Sequence, residues 1–149
     1  MITVIFGQPH SGKTTLAEEI YDSNTFESTT YGFHIDGDDL REIFNNKDYS
    51  REGRIKNLNR ASDIATYMHY QGYNVIMSVV YPYKETRDYL NSLVADVKWI
   101  YLSYTELRGR ENYHVADFDE PEMESFLQIN TTNLSVGECI KMIKDYAKS

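Results

Sequence analysis

The stretch Gly7-Gln8-Pro9-His10-Ser11-Gly12-Lys13-Thr14 constrains this chain more than any other. It fits the pattern of glycine, four free positions, glycine, lysine, and serine or threonine at every fixed position. Before it stands Ile2 to Phe6, short, apolar and β-branched. After it, Lys13 to Tyr21 carries Leu16, Ala17 and Ile20 at helical spacing. A chance match arises about half a percent of the time from ordinary residue frequencies, before that strand-loop-helix context is counted. Glycines let successive backbone N–H groups curl inward toward phosphate oxygens, and the helix N-terminus adds partial positive charge. The loop therefore predicts a nucleotide polyphosphate. Lys13 bridges the β- and γ-phosphates and the Thr14 hydroxyl reaches Mg²⁺ between them. Gly7, Gln8, Pro9, His10, Ser11, Gly12, Lys13, Thr14 and Thr15 are the candidate ATP-binding residues, with His10 read as exposed rather than catalytic.

The remaining pattern says what carries this loop. A second strand is expected at about Tyr31 to Asp36, and Asp38 or Asp39 opens a short helix. Ile55, Leu58, Ala61, Ile64, Ala65 and Met68 mark a long amphipathic helix ended by Gly72. A strand follows at Tyr73 to Val79, a helix from Pro82-Tyr83 to about Val94, and a strand at Val97 to Leu102. Arg108 to Glu124 is polar and poor in apolar anchors, and reads as a mobile loop. Phe126 to Ile129 gives a fifth strand, and Val136, Cys139, Ile140, Ile143 and Tyr146 give a closing helix. Alternating strands and helices with nearly all-apolar central strands predict an α/β domain whose parallel sheet is covered on both faces.

Composition narrows the function. At 149 residues with no linker-like tract, the chain reads as a single domain, 1–149. No apolar run approaches the roughly 20 residues of a membrane span, and no secretory signal precedes the first strand. The single cysteine, Cys139, excludes an internal disulfide and suits a reducing compartment, so a cytoplasmic protein is expected. A net charge of −8 weighs against nucleic acid as partner. A phosphorylated small molecule remains compatible, since arginines inside a pocket outweigh distant screened charge. A regulatory GTPase is disfavoured, because no glycine has an aspartate three residues before it and the guanine-reading asparagine-lysine-x-aspartate pattern is missing.

Asp36-Gly37-Asp38-Asp39-Leu40-Arg41 follows the second strand, at the carboxyl end of a parallel sheet where ligands of open α/β folds bind. Asp36 and Asp38 there can orient Mg²⁺ with Thr14, and one of the two can take the proton of an attacking hydroxyl. Arg41 is placed to hold an acceptor phosphate or sulfate. As a plain alternative, Asp38 or Asp39 serves as a helix cap.

With these residues the chain resembles the adenylylsulfate kinases, P-loop enzymes that phosphorylate the 3′-hydroxyl of adenylylsulfate. Their D-G-D-N-x-R motif is similar to Asp36 to Arg41, with Asp39 in place of asparagine. Their G-F-S-x-x-D-R-x-x-N-x-x-R segment is similar to Asp48 to Arg60. That match implies acceptor contacts from Arg54 and Asn57, and a stacking role for Tyr49, where the family has phenylalanine. The family's S-P-Y-x-x-x-R looks like Tyr81-Pro82-Tyr83-Lys84-Glu85-Thr86-Arg87, which adds Tyr81 and Pro82 to the acceptor side while removing the serine some members phosphorylate. The family lid is longer than the segment at about 108–124, which is acidic and retains Phe118 as counterpart of the lid aromatic, with Arg108 and Arg110 where such kinases bring arginine over the nucleotide.

The resemblance implies a five-stranded parallel sheet of nucleotide-kinase type and transfer of the γ-phosphoryl group of ATP, with Mg²⁺, to adenylylsulfate. Lys13 and Asp38 are the catalytic candidates. A homodimer is left open. Two other readings stay beside it: a kinase of another nucleotide, nucleoside or hydroxylated base, and a nucleotide-binding regulator without turnover.

Overall fold

The strand β1 (Ile2–Gly7) is buried along its whole length, as its uninterrupted apolar sequence requires when both faces of a strand are covered. In the computed structural model, which describes residues 1–23, 30–106, 115–121 and 126–147, it leads through the glycine loop into α1 (Lys13–Ser23). Then follow β2 (Tyr31–Asp36), α2 (Gly37–Ile43), α3 (Arg51–Tyr70), β3 (Asn74–Ser78), α4 (Lys84–Leu93), β4 (Val97–Ser103), β5 (Leu127–Asn130) and α5 (Val136–Ala147). The five strands form one parallel sheet in the order β2-β3-β1-β4-β5.

Strand periodicity sorts the side chains into two cores. Val4 and Phe6 of β1, with Val75 and Met77 of β3, pack against Leu58, Ala61 and Ala65 of α3 and Leu90 of α4. Ile5, Ile76 and Ile100 point the other way, onto Leu16, Ala17 and Ile20 of α1 and Ile140 and Ile143 of α5. The result is three layers with the sheet in the middle. Among the described residues no helix is long and apolar enough to cross a membrane.

One cap differs from the sequence expectation, and one departure from the family pattern finds its physical reason. The cap of α2 is Asp36, not Asp38 or Asp39: its carboxylate accepts the amide N–H groups of Asp38 (3.1 Å) and Asp39 (3.4 Å), so the helix starts straight off β2. Gly53 stands in α3 where the resembling segment has aspartate. A Cβ there would lie 2.3 Å from the Asp48 carbonyl oxygen, because the 44–50 loop folds back over the first turn of α3.

Of the segment expected as a lid, residues 115–121 are described, and Arg108 and Arg110 lie outside the described residues. The described part is fastened to the α4 end of the sheet. Asp119 donates its N–H to the Pro82 carbonyl at 2.7 Å, and its carboxylate accepts the Lys84 N–H at 2.8 Å. Arg87, only 3% exposed, donates from Nη2 to the Asp119 carbonyl at 2.7 Å and stands over the rings of Phe6 and Phe118. Burial pulls the Arg87 guanidinium below its ordinary pKa, against the nearby Asp119 carboxylate.

Candidate active site

The carboxyl ends of β1, β2 and β3 deliver the glycine loop, Asp36 and Ser78 to one side of the sheet, where they border a cavity of about 1210 Å³. That placement follows from topology, since parallel strands end together and their following loops share one edge. The opposite wall comes from α2, the 44–50 loop and the start of α3, which contribute Arg41, Tyr49, Arg54 and Asn57.

On the loop side, Gly7 has no room for a side chain: a Cβ would meet the Leu102 carbonyl oxygen of β4 at 2.3 Å. Pro9, His10, Gly12, Lys13, Thr14 and Thr15 line the cavity. Lys13 is half-buried and donates from Nζ to the Gln8 carbonyl at 3.1 Å. Burial lowers its pKa to about 8, against the raising influence of the Asp38 and then the Asp36 carboxylates. An ammonium ion that burial makes costly to keep charged has much to gain from a polyphosphate.

Thr14 donates from Oγ1 to Asp36 Oδ1 at 2.9 Å, and Ser78 donates from Oγ to the same oxygen at 2.7 Å. With the two α2 amides on Oδ2, Asp36 accepts four hydrogen bonds. Asp38 is exposed to the cavity, and among the described residues its carboxylate accepts none. The two acidic residues are therefore differently equipped: Asp36 is an organiser with its lone pairs engaged, and Asp38 has its lone pairs available.

On the acceptor side, Arg41 is already occupied on one nitrogen. Its Nη1 donates to the carbonyls of Asn46 and Asp48, both at 3.1 Å, and its guanidinium lies 4.0 Å from the centroid of the Tyr49 ring. Tyr49 is 61% exposed, so its outer face is available for stacking. The side chain of Arg54, on α3, makes no hydrogen bond among the described residues and lines the cavity. Asn57 is 4% exposed and donates from Nδ2 to the Gly37 carbonyl at 3.4 Å, which turns Oδ1 to a position without any partner. A buried acceptor left bare is costly unless a ligand supplies a donor.

Two expected residues lie elsewhere. Tyr81 does not reach the cavity: it is fully buried with φ 44°, and its hydroxyl bonds Ser62 Oγ of α3 at 2.6 Å. Its neighbours Val80 and Pro82 line the wall in its place. With φ positive at Tyr81 its ring turns into the core, where it packs edge-on against Trp99 at 5.3 Å. Phe118 likewise faces inward, 5.8 Å from the ring of Tyr101, because Asp119 pins the chain beside it to Pro82 and Lys84.

Two of the candidate ATP-binding residues, Gln8 and Ser11, also lie away from the cavity. Gln8 does not face the cavity; its amide holds Val115, donating from Nε2 to the carbonyl at 2.9 Å and accepting the N–H at 2.8 Å. Ser11 is buried, with a hydroxyl that lacks a partner, and faces a smaller hollow shared with Thr131, Leu134 and Val136 on the β5 flank of the loop. Neither feature carries a local signal, because the partners are over a hundred positions apart in the chain.

Comparison with known proteins bears on this arrangement. The sequence model of the family described as adenylylsulphate kinase matches residues 1–112. An adenylyl-sulfate kinase of Oceanobacillus iheyensis is 26% identical over 162 residues, covering 95% of this chain and 81% of the relative. A cytidine diphosphoramidate kinase of Campylobacter jejuni is 26% identical over 155 residues, covering 92% of this chain and 90% of the relative. Among solved structures, the APS kinase of Mycobacterium tuberculosis in complex with AMPPNP and APS superposes with a TM-score of 0.81 at 19% identity, covering 99% of this chain and 97% of that one, which is a likeness of fold.

Proposed function

The chain belongs to the adenylylsulphate kinase family, and from that premise we propose that it transfers the γ-phosphoryl group of ATP to the 3′-hydroxyl of adenylylsulfate. The observation that carries the proposal is the meeting, across one cavity, of the glycine loop and Lys13 with the Arg54 side chain and the unpartnered Oδ1 of Asn57. One wall suits a polyphosphate, the other a second, anionic nucleotide.

In the proposed reaction Lys13 pairs with the transferring phosphate, and Asp38 takes the proton of the attacking hydroxyl as its oxygen bonds to phosphorus and ADP leaves. Asp36 is the weaker candidate for that base because its oxygens are engaged, which favours Asp38. Arg54 pairs with acceptor charge and Asn57 Oδ1 accepts a donor of the acceptor. Magnesium fits the donor set: Thr14 and Asp36 offer oxygen only, and no cluster of three metal-binding side chains exists among the described residues. An ion held chiefly by phosphates and water suits such a site. Thr14, Asp36 and Asp38 would hold the ion, which would draw off negative charge from the transferring phosphate.

A second reading keeps the same ATP wall and takes a cytidine diphosphoramidate as acceptor. It is favoured by length, since this chain spans 90% of the Campylobacter relative against 81% of the Oceanobacillus one at equal identity. ADP release measured with adenylylsulfate, cytidine diphosphoramidate and plain nucleosides decides between them. Turnover with adenylylsulfate at least tenfold above the others is the expected result. Turnover only with the cytidine compound replaces the acceptor, and turnover with none removes the kinase reading.

A further inference from the structure

We propose that His34 is a positioning residue for the phosphate wall, acting through Ser78 on Asp36 and thereby on the hydroxyl of Thr14. The inference rests on the reading that Thr14 and Asp36 face Mg·ATP. His34 lies on β2, half-buried, with its ring 6.1 Å from that of Tyr21 on α1. Its Nε2 is 2.8 Å from Ser78 Oγ on the neighbouring strand β3.

The direction of this contact follows from counting hydrogens. A serine hydroxyl owns one, and Ser78 gives it to Asp36 Oδ1 at 2.7 Å. What Ser78 turns to His34 is therefore a lone pair, and Nε2 must carry a proton to make the bond. The chain runs one way, from imidazole to hydroxyl to carboxylate. Thr14 closes it from the other side by donating its single hydroxyl hydrogen to the same Oδ1 at 2.9 Å, which leaves the lone pairs of Thr14 for a cation.

Without His34 the arrangement loses its first donor. The Ser78 hydroxyl, itself 2% exposed, then lacks the donor that fixes its lone pairs and is held less firmly on Asp36. Oδ1 then holds Thr14 less firmly, and groups behind a metal-facing oxygen typically alter metal affinity when removed. The gain in ATP affinity that magnesium confers should thus depend on a side chain that touches neither.

Calorimetry of ATP binding to the intact chain, with and without Mg²⁺, tests this. The gain from Mg²⁺ should fall about three- to tenfold in His34→Leu, with metal-free ATP binding unchanged, and about tenfold or more in Ser78→Ala. His34→Gln, which restores an N–H at similar reach, should recover most of the gain while melting at the same temperature as His34→Leu. In ¹⁵N spectra of the wild type at neutral pH, Nε2 of His34 should be protonated, a readout that needs no variant to fold. An unchanged Mg²⁺ gain in His34→Leu, or an unprotonated Nε2, overturns the proposal. Failure of the wild type to bind Mg·ATP at all instead brings down the kinase reading, and this inference with it.

Discussion

Around one cavity, the wall built on β1, β2 and β3 has its hydrogen bonds made internally, whereas the wall on α3 leaves Arg54 and Asn57 Oδ1 bare. Thr14, Ser78 and two α2 amides converge on Asp36 before any ligand arrives. The first wall is organised in advance, which suits a step that asks for positioning of charge and little covalent chemistry. The second pays a desolvation cost until an acceptor fills it, so its energy goes into choosing the acceptor. Rate should therefore live mainly on one wall and selectivity on the other.

The hardest test of that division is Lys13→Ala, which should lower kcat by about a thousandfold while the melting temperature holds or rises, since the side chain is a point charge at the cavity floor. Turnover near the wild-type level would mean that the loop does not hold the transferring phosphate. Asp38→Asn should lower kcat by about a hundredfold or more with metal-free ATP affinity kept, as loss of a general base does. If Asp36→Asn alone shows that loss with ATP affinity kept, the roles of the two carboxylates are exchanged. Arg54→Ala should cut kcat/KM for the acceptor about tenfold or more, one charged hydrogen bond being worth roughly 1.5–3 kcal/mol, and leave ATP binding alone. Equal losses for both substrates would erase the distinction between the walls.

Acidity sharpens the comparison on a smaller scale. The Lys13 pKa is lowered to about 8, so the folded, ligand-free protein gives up this proton between there and 10.5, where the unfolded chain still holds it. The unfolded state then binds more protons, and this group makes ligand-free stability rise with pH across that window. ATP asks for the charged form, so its affinity should fall as pH rises through 8. Calorimetry at pH 8.5 in buffers of different ionisation enthalpy should register proton uptake on binding, and none would place Lys13 away from the phosphates. The smallest effect belongs to a residue behind the wall: Tyr81→Phe should cost about 1–3 kcal/mol of stability in urea melts by orphaning Ser62, with kcat/KM unchanged.

The same division marks how much could be read from the chain. Gly7 to Thr14 was legible because loop, strand and helix are contiguous and each has its own period. The five strands, too, were placed within a residue or two: the fifth was expected at Phe126 to Ile129 and lies at Leu127–Asn130. The cap of α2 was misplaced because three aspartates compete there, and only the direction of the turn off β2 decides among them. Arg41 carried the right charge for an anion, but that the 44–48 loop would occupy its Nη1 follows from the fold of that loop. Tyr81 and Phe118 were assigned from a pattern that records position and not the direction of a ring. The grip of Gln8 on Val115 has no sequence signature, since a side-chain amide bonding a backbone more than a hundred residues away leaves no period or spacing behind.

The cap on α4 bears on the order in which the protein assembles. Tyr83, at the helix entrance, offers no side-chain bond, and the first amide, that of Lys84, is satisfied by Asp119, 35 residues further on. Helices are usually capped by the residue next door, so their ends can settle as soon as they are synthesised. Here the closure entropy of the intervening chain, β4 included, must be met before the amide is rewarded. A nascent chain that stops short of Asp119 leaves the first turn of α4 frayed, along with the neighbouring backbone of Val80 and Pro82 that edges the cavity. The edge of the cavity at Val80 and Pro82 is thus tied to a residue that follows four of the five strands in the chain.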